Sequence, residues 1–506
     1  MKKNITIITV CILILLTGCS KDDASPTSLS SEKEITAFKF LAIDNEGFEN
    51  DINGNIDQKA KTIAFTLPSD SDVSSLMPNI TVSAKAVVSP EGTQNFTNPL
   101  NYTVTAEDGT KSQYTVTVAF ELSSEKEIIS FKFLKTDNPL LDADIEASIN
   151  AEDKTIETTF PGNPLLNSLI PQIEISPKAS IDPMGSKDFT DMVFYTVTAE
   201  DESEVQYKVS VTSEAAIQRN ALIAIYNANP NNTLGWDLSN PNPFYWNGVM
   251  VDIHENILSL DLDSKNIDVI PPQIKDLKYL ISLSAHQNNL TTLPAEIGLL
   301  ENLKDLFIGN NQLNSIPAEI GDLKNLQRLY IAFNNLETFP VEISGLSGSL
   351  GFLVANNNNI HTLPESLWEL NTLVSLNLSF NNLESLSPGI KNSPQLTILN
   401  LHHNNLDEIP DEIGEIFTLE ELAISQNNLT SIPSKLGDLS NLKKLYIDEN
   451  NITNLPFQLG NLSKLQILDF TDTNVTQIPQ SVCNLFYFYG TNLYYDSGLV
   501  CNPPPN

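Results

Sequence analysis

Two hydrophobic periods divide the chain. Between residues 32 and 213 apolar and polar positions alternate: Ile63, Phe65 and Leu67 form one run, Tyr102, Val104 and Ala106 another, and Tyr114, Val116 and Val118 a third. A period of two puts every second side chain on one face of a strand. Asp108-Gly109 lies between the last two runs and signals a hairpin, since glycine accepts the positive φ of a tight turn. The stretch is also written twice. Glu32-Lys33-Glu34-Ile35 returns as Glu125-Lys126-Glu127-Ile128, Phe38-Lys39-Phe40-Leu41 as Phe131-Lys132-Phe133-Leu134, and Pro78 and Pro90 as Pro171 and Pro183, always 93 residues later. Several short alternating strands in about 90 residues predict an all-β sandwich, over 32–120 in the first copy and 125–213 in the second.

From Ile257 the period becomes 23 residues. Leu280, Leu303, Leu326, Leu350, Leu373, Leu396, Leu419, Leu442 and Leu465 mark ten units, with one 24-residue step at the Gly-Ser insertion between Gly345 and Ser349. Asparagine holds one column: Asn288, Asn311, Asn334, Asn358, Asn381, Asn404, Asn427 and Asn450, broken by Lys265 and Thr473 in the end units. An inward amide can both donate and accept at a turn whose backbone would otherwise be buried unpaired. Proline recurs from Pro271 to Pro479 on the opposite wall, with Ser387 the exception. This pattern resembles the leucine-rich repeat, and the resemblance covers the C-terminal half. It implies an α/β-type solenoid with a parallel β-sheet on its concave face, each coil sharing its core with the next. The repeats are expected over 257–482. Residues 214–256, with Ala221, Leu222, Tyr226, Trp236 and Trp246, resemble the N-terminal cap of plant-type repeat proteins without that family's cysteine pair, and 483–506 form a C-terminal cap.

The two sandwich copies resemble the small Ig-like modules near the N-terminus of Bacteroidetes surface lipoproteins. They lack the Cys and Trp of true immunoglobulin domains, and a spacer role is expected of them. The start of the chain agrees with such an address. Lys2 and Lys3 precede an apolar run from Ile5 to Leu16, too short to cross a membrane. Leu16-Thr17-Gly18-Cys19 resembles a lipoprotein lipobox. The resemblance implies a signal peptide at 1–18, an acylated Cys19 and a lipidated tether at 19–31, in which Lys21-Asp22-Asp23 is similar to the export signal for the outer face of the outer membrane. With Cys11 removed and Cys19 acylated, Cys483 and Cys501 remain, and outside the cytoplasm they are expected to pair. The 18-residue separation makes that bond worth about 3 kcal/mol.

Charge excludes some functions. Lys plus Arg number 28 against 63 Asp plus Glu, a net charge of −35, which disfavours nucleic acid, because phosphate binding depends on basic residues. Catalytic motifs are missing: no Gly-x-Ser-x-Gly elbow, phosphate loop or His-Glu-x-x-His occurs. No cofactor or metal is expected. Asp51, Asn53, Asn55 and Asp57 alternate like calcium ligands, but glycine falls too early and no bidentate Glu follows, so an ordinary polar turn is expected. His402 and His403 lack a third ligand at suitable spacing.

The concave strands would present Phe307, Arg328, Tyr330, Phe333, Phe352, Phe380, His402, His403 and Tyr446 outward as a partner-binding surface, since exposed aromatics beside an arginine anchor many interfaces. Glu421, Asp448, Glu449, Asp469 and Asp472 make its far end acidic. The expectation is a non-catalytic cell-surface binding protein that recognises a protein partner through this face. The alternative is a glycan-binding accessory lipoprotein of a nutrient-uptake system.

Overall fold

The computed structural model describes residues 28–240 and 242–504. The signal segment, the acylation site Cys19 and most of the tether lie outside the described residues.

In the first copy, alternation translates directly into burial. Strands β1 (Ile35–Phe40), β2 (Ile52–Asn53), β3 (Asn55–Asp57), β4 (Thr62–Leu67), β5 (Pro78–Val82), β6 (Val87–Ser89), β7 (Leu100–Thr105) and β8 (Lys111–Phe120) form two sheets, ordered β2-β1-β5 and β3-β4-β8-β7-β6. Ile63, Phe65 and Leu67 of β4 are buried while the residues between them are exposed. The core is aromatic: Phe38 meets Tyr102 edge-on at 5.1 Å between ring centroids, and Phe40 meets Phe96 likewise at 5.1 Å. The β7–β8 hairpin turns at Gly109, whose φ of +81° is the left-handed value expected there. One expectation is corrected. The Asp51–Asp57 stretch is a pair of short strands in which β2 pairs with β1 and β3 with β4. The chain crosses between sheets at Gly54, where a Cβ would lie 2.7 Å from Ile63 and Phe65. Asp51 is occupied in accepting the Ala42 N–H at 2.9 Å.

The strands Ile128–Phe133, Thr155–Phe160, Val193–Thr198 and Glu204–Ser213 repeat β1, β4, β7 and β8 at the 93-residue offset. Thr155–Phe160 runs parallel to Lys208–Ser213, as β4 does to β8.

Ser213 then serves twice, ending its strand and capping helix α1 (Glu214–Ala228) by accepting the Ala216 N–H at 3.1 Å. No loop separates the two. Glu214, in the first turn of α1, pairs with Lys278 and accepts the Tyr279 hydroxyl at 2.7 Å, tying the helix to the first coil. Burial pushes the Glu214 carboxyl up, but the Lys278 ammonium and Tyr279 hydroxyl outweigh it and hold the pKa below the usual carboxylate value. A depressed carboxylate contributes stability above the ordinary pKa and loses it as pH falls through the folded-state value. Glu214→Gln is therefore expected to cost roughly 1–2 kcal/mol at pH 7 in urea denaturation. The gap from wild type should close below the carboxylate range, and an equal gap at pH 3 and pH 7 would refute the ion pair's role.

The solenoid is built on a twelve-stranded sheet. Val249–Val251 of the N-terminal cap pairs antiparallel with Ile257–Asp261. Every later pairing is parallel, ending with Asn492–Tyr494 of the C-terminal cap. The caps thus lengthen the sheet beyond its ten repeat strands. Along the convex wall each of the first nine coils makes a 3-10 turn of five residues, six in Val341–Leu346, where the extra residue of the 24-residue unit is absorbed, and the tenth makes the helix Gln480–Tyr489. Among the described solenoid residues α-helix occurs only at its two ends. Proline sets the entry: Pro317, for example, precedes its turn at φ −66°. Ser387 adopts φ −74° and compensates by accepting the Gly389 N–H at 2.9 Å.

Inside, the leucine and isoleucine columns form one continuous core from Ala221 to Leu485. The asparagines are buried as expected and act between coils: Asn311 donates to the Ala285 carbonyl of the preceding coil and accepts the N–H of its Leu290. At the N-terminal end, Trp236 and Trp246 stack at 5.1 Å, and both indole N–H groups reach backbone carbonyls. Fully buried Asn229 accepts the Asp268 and Val269 N–H groups and donates to Val269, docking α1 onto the first coil. At the other end helix α2 (Gln480–Tyr489) buries Val482, Cys483 and Leu485, and the Cys483–Cys501 disulfide forms with Cα atoms 5.3 Å apart.

Candidate functional site

Each repeat strand after the first is three residues long, with a leucine pointing inward between two outward positions. The outward residues fall into two columns set by the parallel register. Asp305, Arg328 and Phe352 are direct partners in one, and Phe307, Tyr330 and Val354 in the other. Phe307 and Tyr330 therefore meet across adjacent coils, with centroids 5.0 Å apart and planes tilted by 37°. Phe352, 42% exposed, stands beside Arg328 rather than extending the ring pair. Phe307, Tyr330 and Phe352, on three consecutive coils, thus form a pair plus one offset ring.

Arg328 is not a free cation. Its guanidinium grips Asp305 with both forks, Nη2 lying 2.7 Å from Oδ2, and its centre sits 6.0 Å from the Phe307 ring. Asp305 raises the Arg328 pKa further, locking in the charge. The result is a ring pair flanked by a rigid bidentate ion pair, an apolar platform with fixed donors at one edge. Asp305 was overlooked in the sequence, although its 23-residue spacing from Arg328 is the signal that marks column neighbours. The same logic pairs Lys444 with Glu421, 2.9 Å apart.

Phe333, Phe380 and His403 lie past the strands. They occupy the turn just before the asparagine column, at φ +57°, +55° and +55°. Every coil from Ser264 to Asp472 holds a non-glycine residue there in the left-handed region. The strain is offset by a backbone ladder, in which the Phe333 N–H reaches the Asn356 carbonyl and the Asn334 N–H the Asn357 carbonyl. The turn brings together what the strand picture separated: His402 and His403 approach the Phe380 ring edge-on at 5.2 and 4.7 Å. Burial lowers the His402 pKa, partly countered by Asp448. Asp448 is itself pushed up by burial and by Asp469, while the Ser425 hydroxyl donates to it and opposes the rise. Tyr446, half-buried, stands between Ala423 and Asp469 in the second column, away from both ring groups. Among the described residues no three His, Cys, Asp or Glu side chains gather as metal ligands, and no helix is long and apolar enough to cross a membrane.

Residues 35–118 and 128–211 each match the family model of the SGBP N-terminal domain, and residues 394–452 match that of the leucine-rich repeat. No curated protein matches the chain. Among solved structures it is similar to an LRR protein of Leptospira interrogans, at 30% identity and a TM-score of 0.43, over 49% of this chain and 67% of that one. It is also similar to the LRR ectodomain of the receptor kinase GASSHO1/SCHENGEN3 from Arabidopsis thaliana, at 27% identity and a TM-score of 0.45, over 56% of this chain but only 38% of the receptor's. A plant ice-binding protein is similar at 26% identity and a TM-score of 0.45, over 57% of this chain and 96% of its own.

Proposed function

We propose that this chain, which carries two SGBP N-terminal domains followed by a leucine-rich repeat solenoid, is a non-catalytic binding protein displayed at the cell surface through an acylated Cys19. Its sandwich modules, 32–120 and 125–213, act as spacers, and the concave face of the solenoid recognises a protein partner. The observation that carries this reading is the Phe307–Tyr330 ring pair beside the Arg328–Asp305 fork on an open sheet. Rigid aromatics dominate protein interfaces because they desolvate a large area at little conformational cost. The test is capture of surface proteins by the full chain against Phe307→Ala/Tyr330→Ala. A specific partner should lose at least about thirty-fold in affinity, ~2 kcal/mol. Identical capture by both proteins would remove the concave face from the account.

A second reading, a glycan-binding accessory lipoprotein of a nutrient-uptake system, is supported by the SGBP N-terminal matches in both modules. It predicts retention of the chain by a polysaccharide gel, with no protein partner required.

A further inference from the structure

The two sandwich modules repeat one strand pattern at a constant 93-residue offset, so the positions where they differ show what each is adapted to meet. Three differences fall where the second module joins the repeat array: Gly162, Asn163 and Ser213 stand where the first module has Ser69, Asp70 and Phe120. Gly162 takes φ +64°, a value that Ser69 does not share, and its carbonyl accepts the Ala215 N–H of α1 at 3.1 Å. The cap loop lies against it, since a Cβ at Gly162 would be 3.6 Å from the His254 carbonyl oxygen. Asn163 Nδ2 donates to Glu255 Oε2 at 2.8 Å. Glu255 is itself held at φ +62°, a conformation that costs a side chain of its size and persists only where its surroundings fix it. Ser213 caps α1, whereas Phe120 ends β8 with 42% of its surface exposed, and no helix follows.

The solenoid contributes contacts of its own. Gln218 of α1, only 1% exposed, accepts at 2.8 Å the N–H of Ile257, the first residue of the first repeat strand. Glu214 reaches Lys278 and Tyr279, while its counterpart in the first module, Glu121, is exposed. Helix α1 thus takes its N-cap from the last strand of the module and packs Ala221, Leu222 and Ile225 into the core of the solenoid. Unfolding the strand Glu204–Ser213 would strip the helix of the Ser213 cap, and losing α1 would leave the buried Ile257 N–H without an acceptor. Elements that share buried polar groups in this way open together.

We infer that the second module is an integral outer layer of the solenoid's N-terminal cap, and that module and solenoid unfold as one cooperative unit. The second module is then a mount for the concave face rather than a spacer, whichever partner that face takes. The three tryptophans, Trp236, Trp246 and Trp368, all lie in the solenoid, so their fluorescence in urea reports the solenoid within the full chain. Val209→Ala cuts the core of the second module, and Val116→Ala cuts the first at the matching position, both from fully buried valines. Hydrogen exchange along each module's own strands confirms that both cuts are felt locally. Val209→Ala should lower the tryptophan midpoint by at least about 0.3 M urea, and Val116→Ala should leave it unchanged. A substitution that unfolds its module outright gives the same reading more sharply. With the first module's residues installed at the junction, as Gly162→Ser/Asn163→Asp, the tryptophan midpoint should no longer respond to Val209→Ala. The inference is overturned if Val209→Ala leaves the tryptophan midpoint in place, if Val116→Ala moves it as far, or if the junction variant transmits the change undiminished.

Discussion

Asn358→Ala should destabilise the solenoid by about 3 kcal/mol, and pairing it with Asn334→Ala should cost more than the two changes added together. Asn358 Oδ1 accepts the Leu336 N–H at 3.0 Å, and Nδ2 donates to the Ile331 and Ala355 carbonyls at 3.0 and 3.1 Å. Alanine leaves the buried Leu336 N–H with no acceptor. The carbonyls fare better, because each receives two amides: Ile331 O also takes Asn334 Nδ2 at 3.1 Å, and Ala355 O also takes Asn381 Nδ2 at 3.0 Å. A single deletion therefore orphans one donor and thins two carbonyls, whereas the double deletion strips Ile331 O of both amides. Urea denaturation of the two single variants and the double variant measures the coupling, which should be roughly 1 kcal/mol. Strict additivity would mean that the column is a set of independent hydrogen bonds rather than a shared ladder. Asn358→Asp should be at least as damaging as alanine, since a buried carboxylate would face both carbonyls.

Gly437→Ala should destabilise the protein by ~2–3 kcal/mol, although glycine to alanine ordinarily helps in a helical turn. Gly437 has no positive φ to protect. Its constraint is spatial: a Cβ there would lie 2.3 Å from the Gln458 carbonyl oxygen of the next coil. Gly298, Gly321, Gly414 and Gly460 face the next coil's backbone in the same way, at 2.1 to 2.6 Å from the carbonyl oxygen. Gly351→Ala is the control, because its Cβ would meet nothing closer than 3.8 Å, and it should be neutral or slightly stabilising. Equal melting temperatures for Gly437→Ala and wild type would show that coils can slide apart freely. Trp368 marks how strict the spacing is. It occupies the position of these glycines in its own coil yet is fully buried, and the residue it faces in the next coil is Gly389, where a Cβ would lie 3.0 Å from its ring. Ring and glycine have exchanged places across the coil boundary.

The 23-residue leucine register, the asparagine column and the period of two in the sandwiches were all legible in the chain. Each is a local rule applied at a fixed interval, and burial of one face follows from it. The pairing of Cys483 with Cys501 was legible as well, by elimination. What the interval could not convey was which neighbour each outward residue meets. Arg328 reads as an anchor until its parallel partner, Asp305, is seen to hold it, and only the register places Phe352 beside Arg328. His402 and His403, which alternate on paper, converge on Phe380 because the chain leaves the strand for a left-handed turn that no glycine announces. The sequence by itself thus determined the repeating unit and its inward side chains, because one coil's backbone constraints recur in every coil. Only the tertiary structure decided the partners of the outward side chains, because those depend on distances across coils.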